Sequence, residues 1–383
     1  MGTDELTGGS IARGLGVPDQ VRWPLRRSSD LFELRYGKAL VASSRRPGPI
    51  PVYGTNGQTG THDTVLFEGP GVIVGRKGAG HLGVHWTDSN FWVIDTAYSL
   101  CPKVEYDLKF AYYLVSHVGL NHLKHGTSNP SLTRDAFSAQ YFPVPPIEAQ
   151  RAIAATLGAL DDKIESSRQI ARVSLDLAEA LYLDACSRGA ETIPLKKAGR
   201  WLSGGTPSTT RPEYWGGDLP WISSASLKSF FVWSSDRCLT EAGEDAATNV
   251  VPAGTVLMVV RGMSLKSEFR FGVAQREVAF GQDCKAILPA VPAAVLAMAL
   301  RSSREEILDL VDEAGHGTGR LSTDLIEQHR IQVPHDSPII GVLDGLVARG
   351  ALAEQESAQL AATRDALLPE LLSGRLRVPE TVA

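Results

Sequence analysis

The chain has 383 residues, 43% hydrophobic and 21% charged, with 38 Lys+Arg against 43 Asp+Glu and a net charge of −5. That is the composition of an ordinary globular protein with room for two or three domains. It excludes a membrane-spanning protein, because no apolar run approaches the roughly 20 residues a bilayer requires, and it disfavours phosphate binding by the surface as a whole.

The first 22 residues are polar and Gly-rich and lack the regions of a signal peptide, so a flexible tail (1–22) and a cytoplasmic location are expected. From Trp23 to Pro146 short apolar runs broken by Gly, Pro, Asn and Asp (IPVYG, TVLF, GVIVG, NFWVID) predict the strands of an irregular mixed sheet, and LKFAYYLVSHVGLNHL over Leu108–Leu123 predicts a helix. Over Ile147–Arg188 apolar residues at Ile153, Leu157, Leu160, Ile164, Ala171, Leu175, Ala178 and Leu181 step mostly by three and four, as a coiled-coil seam requires. A second module follows at 191–335, with strand-like LPWIS, TVLMVV, FGVAQ and CKAIL and a helical AAVLAMALRSSREEILDLV. A second long helix over Ile339–Ser373 carries Leu343, Leu346 and Val347 on its stripe, with Gly345 and Gly350 weakening its first turns and Gly374 as its stop.

The plan is therefore stated twice. HGTSNPSLTRDAFSAQYFPVPP begins at His125 and HGTGRLSTDLIEQHRIQVP at His316. After a two-residue gap Leu132, Asp135, Val144 and Pro145 align with Leu321, Asp324, Val333 and Pro334. The expected architecture is α+β: two similar mixed α/β domains (23–146 and 191–335) separated by two long helices (147–190 and 336–375) packed as an antiparallel coiled coil, then a C-terminal tail (376–383). A helix of about 40 residues is about 60 Å long; packed antiparallel, the pair would put the modules at opposite ends of a rod. The two helical regions carry 5 Lys+Arg against 7 Asp+Glu and 4 against 7, which is the whole negative balance, so basic loops of the modules remain free to face an anion.

Several motifs fail on their context. Gly78, Gly80 and Gly83 fit G-x-G-x-x-G, but VHWTDSNFWVID reads as strand where a dinucleotide fold needs a helix. Asn129-Pro130-Ser131-Leu132 lacks the second proline and the aromatic of an amino-methyltransferase motif. His81 and His85 share no helical face, and Cys101, Cys186, Cys238 and Cys284 form no C-x-x-C, so no metal site is expected. What remains is polar and basic. In module one these residues are Arg45 and Arg46, the turn Asn56-Gly57-Gln58-Thr59, and Arg76, Lys77 and His81 around the glycine-rich turn. In module two they are Thr206, Ser208, Thr209, Arg211 and Lys228, then Arg261, Lys266 and Arg270. Hydroxyls and cations bind phosphates, Arg and Lys read guanine edges, and Asn and Gln pair with adenine. Each residue is equally at home on a solvated face or in a turn, and Trp215 and Trp221 read as core.

At FPVPPIEAQRAIAATLGALDDKI, IQVPHDSPIIGVLDGL, LSGGTPSTTRPEYWGGDLPWISSASLK and RGMS the chain resembles the specificity subunit of type I restriction–modification systems, over about Trp23 to Arg377. The resemblance implies two target recognition domains, each reading half of a split asymmetric sequence in double-stranded DNA, with the helices as spacer and ruler. It implies a subunit with no catalytic residues and no cofactor of its own. Two methyltransferase subunits, which bind S-adenosylmethionine, would assemble on it, and a translocating restriction subunit could join. Two departures stand out: HDSP replaces a PPIEEQ-like start of the second helix, and the opening of module one lacks the GGTP form of module two, so the half-sites should differ. A modification-only or other defence complex, a combined specificity–nuclease chain and a protein scaffold without DNA binding are the alternatives.

Overall fold

The computed structural model describes residues 22–378 apart from 248, 315 and 316. The expected tails at 1–22 and 376–383, except Arg22 and residues 376–378, and His316 of the second repeat lie outside the described residues. The chain divides into two compact units: residues 1–164 with 359–383, and residues 165–358. The boundaries fall inside the long helices, so each unit owns a module together with a piece of both helices.

In the first unit the labelled elements are β1 (Leu25–Arg27), β2 (Phe32–Tyr36), β3 (Gly71–Gly75), β4 (Val84–Thr87), β5 (Ala97–Pro102), α1 (Leu108–Val118), β6 (Ser131–Leu132), α2 (Arg134–Ser138), β7 (Tyr141–Pro143) and α3 (Ile147–Arg188). The main sheet has the antiparallel order β2-β5-β3-β4. The apolar run of β3 is buried at every position, as a central strand should be. Asp107 caps α1 by accepting from the Phe110 N–H, and α1 lays Phe110, Leu114 and Val115 into the core. A side hairpin, Ile50–Gly54 with Gly57–His62, also pairs in parallel with Trp92–Val93. The TVLF run is not a strand; of it only Phe67 forms an isolated bridge, to Phe91.

The second unit repeats this topology. Its labelled elements are β8 (Ala190–Pro194), β9 (Gly199–Ser203), β10 (Val256–Val259), β11 (Arg261–Gly262), β12 (Phe271–Ala274), β13 (Cys284–Pro289), α4 (Ala293–Ser302), β14 (Thr318–Leu321), α5 (Thr323–Gln328), β15 (Arg330–Pro334) and α6 (Ser337–Ser373), beside a further four-stranded sheet that includes Trp215–Ile222. Its sheet runs β9-β13-β10-β12, antiparallel throughout, with Phe231–Val232 added in parallel at the edge. Opening and closing strands pair in both modules: β1 with β7 and β8 with β15. The predicted helix from Ala293 breaks at Ser303, beyond which Arg304–Leu308 starts a separate short helix.

Helix α3 coincides with the range its spacing predicts, and α6 starts two residues early. Within the first unit Arg364 on α6 bonds Asp161 on α3 at 2.7 Å; within the second, Ser167 Oγ donates to Glu356 at 2.8 Å, and Gly350 lies against the Ala171 carbonyl. The falling α6 numbers against rising α3 numbers show the two helices antiparallel inside the second unit. The helices do more than pack on each other. Ile153, Leu157, Leu371 and Leu372 join the core of the first module, and Leu175, Ala178, Leu343 and Ala351 that of the second, with Leu346 and Val347 packed against it. Of the expected seam Ile153, Leu157 and Ile164 are buried, whereas Leu160 is half-exposed.

Candidate nucleic-acid interface

A polar edge of the first module begins where β3 ends. Arg76 donates from Nη1 to the Asp95 carbonyl at 2.9 Å and lays its guanidinium 4.8 Å from the centroid of the Tyr36 ring and 5.7 Å from that of Tyr98. Arg134, the first residue of α2 after the Thr133 cap, lies over the same Tyr36 ring, also at 4.8 Å. Cations held on aromatic faces are pre-oriented at small entropic cost. Tyr36 is 46% exposed. Buried Tyr98 donates to the Leu132 carbonyl at 3.0 Å, and burial, then its neighbour Tyr36, pushes its hydroxyl up to about 12, so it stays a neutral donor. Lys77 stands 3.8 Å from Asp95.

The glycine-rich turn beyond is open. Added Cβ atoms at Gly78 and Gly80 would meet nothing, and φ of +138° at Gly78 favours glycine. Lys124 closes the turn from beneath, with Nζ 2.7 Å from the Gly80 carbonyl. Asn121 accepts from the Leu82 N–H and donates to the exposed His81 ring. The fold thus brings Arg76, Lys77 and His81 to one edge, as expected, and adds Tyr36 and Arg134.

The remaining module-one candidates lie on the side hairpin. Its turn is Thr55-Asn56, not Asn56 to Thr59: Gly54 pairs with Gly57, whose φ of +111° starts the return strand, and Gln58 and Thr59 lie within that strand. The Asn-Gly pair marked the turn but sits one residue later than its usual two-residue loop. Arg45 donates to the Thr59 carbonyl and hydroxyl at 2.5 and 3.2 Å. Arg46 forms a two-pronged pair with Asp63 at 2.5 and 2.8 Å, which holds that carboxyl down at about 2. Both guanidiniums are engaged in bracing the hairpin, while Asn56 and Gln58 are exposed.

In the second module Thr206, Ser208 and Thr209 are exposed on the segment before Trp215. That segment is pinned through its carbonyls: Trp221 donates to Gly205 at 3.1 Å and Trp215 to Ser208 at 3.2 Å. Both tryptophans pack in a small cluster with Leu239 and Ala279, the core role their sequence context suggests. Arg237 lies 3.5 Å over the Trp215 ring centroid, and Arg211 donates to the Tyr214 hydroxyl at 2.8 Å. Lys228 and Arg270 share a cavity of about 410 Å³ with Arg301 and Arg304. In it Arg270 is paired with Glu268 at 2.8 Å and Arg301 with Asp176 and Glu179. Arg261 and Lys266 stand apart from that cavity, exposed on β11 and the turn after it, with no carboxylate at ion-pair distance among the described residues.

The two modules match at this edge. The Leu132 N–H donates to the Arg76 carbonyl at 2.8 Å, and the Leu321 N–H to the Val260 carbonyl at 2.9 Å. Lys77 bridges Ser131, and Arg261 pairs with Arg320. Arg320 escaped the sequence reading although the repeat alignment places it opposite Ser131; a single exposed arginine carries no local signal. No group of His, Cys, Asp or Glu among the described residues is placed to hold a metal ion, all four cysteines are free thiols, and no described helix is long and apolar enough to cross a membrane.

Residues 20–173 match the family model of the type I restriction modification DNA specificity domain. The chain is 28% identical over 157 residues to the EcoR124I/EcoR124II specificity subunit of Escherichia coli, covering 39% of each chain. It is 37% identical over 71 residues to the MjaIX specificity subunit of Methanocaldococcus jannaschii, covering 18% of this chain and 16% of that one. The matches thus span well under two thirds of these relatives. The crystal structure of the S subunit from M. genitalium superposes with a TM-score of 0.67 over 92% of this chain and 96% of that one at 18% identity, which shows the shared fold. The resemblance to specificity subunits read from the sequence is borne out by these likenesses.

Proposed function

We propose that this chain is the non-catalytic DNA sequence-specificity subunit of a type I restriction–modification complex, reading a bipartite asymmetric target. The observation that carries this reading is the duplication: two modules of one topology, each with the same strand–helix–strand cassette and the same edge at Arg76-Lys77 and Val260-Arg261, each packed on its share of one antiparallel helix pair. A protein that reads one continuous site has no need of two such edges on unlike sequences. The unlike edges fit unlike half-sites, with cations fixing register on phosphates and a few polar side chains reading base edges in the major groove. The helix pair sets the number of unread base pairs. Two methyltransferase subunits dock on the chain and supply S-adenosylmethionine; a translocating restriction subunit completes the complex in a system that also cleaves, in the cytoplasm.

The test is genome-wide methylation mapping after co-expression of the chain with its methyltransferase, with each alone as control. The expected result is a split motif of two short half-sites around a fixed spacer, present only with both. Methylation indifferent to the chain, or none despite a stable complex, would favour a scaffold without DNA recognition.

A further inference from the structure

Arg261 on β11 and Arg320 on β14 are direct cross-strand partners in an antiparallel pair. Such partners have Cα atoms about 5 Å apart and point to the same face, where two like charges repel and cost stability. Both are exposed, and neither has an ion-pair partner among the described residues. Asp312 is the register partner of Arg320 on the third strand, Val311–Ala314, so a carboxylate stands beside the arginine pair in the same row, but it makes no ion pair with Arg320. A third cation is brought up by the turn Met263–Lys266. Gly319 has no side chain where a Cβ would stand 2.8 Å from Leu265, so the turn lies flat on β14 and sets Lys266 Nζ against Gly317. Met263 beside them is 65% exposed. In the first module the same two positions are Lys77, already 3.8 Å from Asp95, and Ser131.

Resting on the reading of the chain as a DNA-specificity subunit, we infer that Arg320 and Arg261 form a two-guanidinium clamp on a backbone phosphate of the half-site read by the second module, flanked by Lys266. Repulsion between the two guanidiniums, offset only in part by Asp312 beside Arg320, is removed when an anion enters between the two forks, and a phosphate oxygen accepts from each. The first module, with one partly neutralised cation at these positions, contributes less to the salt dependence of binding.

The test uses the full-length chain with its methyltransferase subunits on labelled duplexes carrying the mapped motif and on a scrambled duplex, across a salt series. For Arg320→Thr, which keeps a strand-forming residue, the expected outcome has three parts. The melting temperature is unchanged or higher, both duplexes bind about fivefold more weakly at 0.15 M salt, and the slope of log affinity against log salt falls by about 0.9. Arg320→Lys keeps the wild-type slope. Wild-type affinity and slope for Arg320→Thr would overturn the clamp. So would a loss confined to the cognate duplex with relaxed choice at one base pair, which would mark a guanine-edge contact instead. A wild-type complex that binds no duplex would overturn the underlying reading itself.

Discussion

Burial holds the His117 and His329 imidazoles below their ordinary titration range, against weaker opposing pulls from Asp365 and Glu306 respectively. His329 also keeps Nε2 buried without a hydrogen-bond partner among the described residues. Because the folded-state pKa lies below the unfolded value of about 6.5, the unfolded chain takes up protons first as pH falls. The stability from the neutral rings is present above about pH 6.5 and is lost as pH drops through the lowered folded-state values. Thermal unfolding should therefore show a lower melting temperature at pH 5.5 than at pH 7.5, and His117→Gln with His329→Gln should flatten that difference. An unchanged slope in the double variant would show that other groups set the acid limit. At the interface, single residues were the least legible. Arg45, Arg46 and Arg270 read from the sequence like Arg76 and Arg261, but only the fold reveals Thr59, Asp63 and Glu268 occupying the first three. Tyr36, Arg134 and Arg320 gain their meaning from ring stacking and strand register, which no local pattern encodes.

Gly350 and Gly345 show how elements of similar sequence carry different constraints. Both sit inside α6, and each lowers intrinsic helicity by about 1 kcal/mol relative to alanine. At Gly350 a Cβ would stand 2.9 Å from the edge of the buried Phe231 ring, whereas at Gly345 it would meet nothing. Gly345→Ala should therefore stabilise by up to about 1 kcal/mol, while Gly350→Ala should destabilise by roughly 1 kcal/mol, since forcing apart a packed contact costs about 1–3 kcal/mol. Denaturant unfolding distinguishes them, and equal gains would contradict the close packing of α6 on Phe231. The long helices were the most legible elements, because period-3.5 burial over 40 residues is a strong signal. Even there Ser167 and Ser174 are buried on α3 although their polarity gives no sign of it. The short strands were less so: TVLF has strand composition but only a bridge to pair with, and the Ala293 helix breaks at Ser303 despite a continuous helical pattern.

The duplication is legible at the level of the whole molecule because a gene-level repeat leaves matched residues wherever packing is most constrained, as at Leu132 and Leu321, both buried. The negative balance of the chain likewise resolves once charge is placed, with the cations at the module edges and the acidic excess on the helices. The central claim is that two modules read separate half-sites while the helix pair alone sets the unread distance. Adding one heptad to both helices, between Ile164 and Ser167 in α3 and between Glu356 and Arg364 in α6, lengthens the pair by about 10 Å. Methylation mapping of that variant should return both half-sites unchanged with a longer spacer, by about 3 bp if the added length runs along the duplex. Altered half-sites around an unchanged spacer would contradict the account.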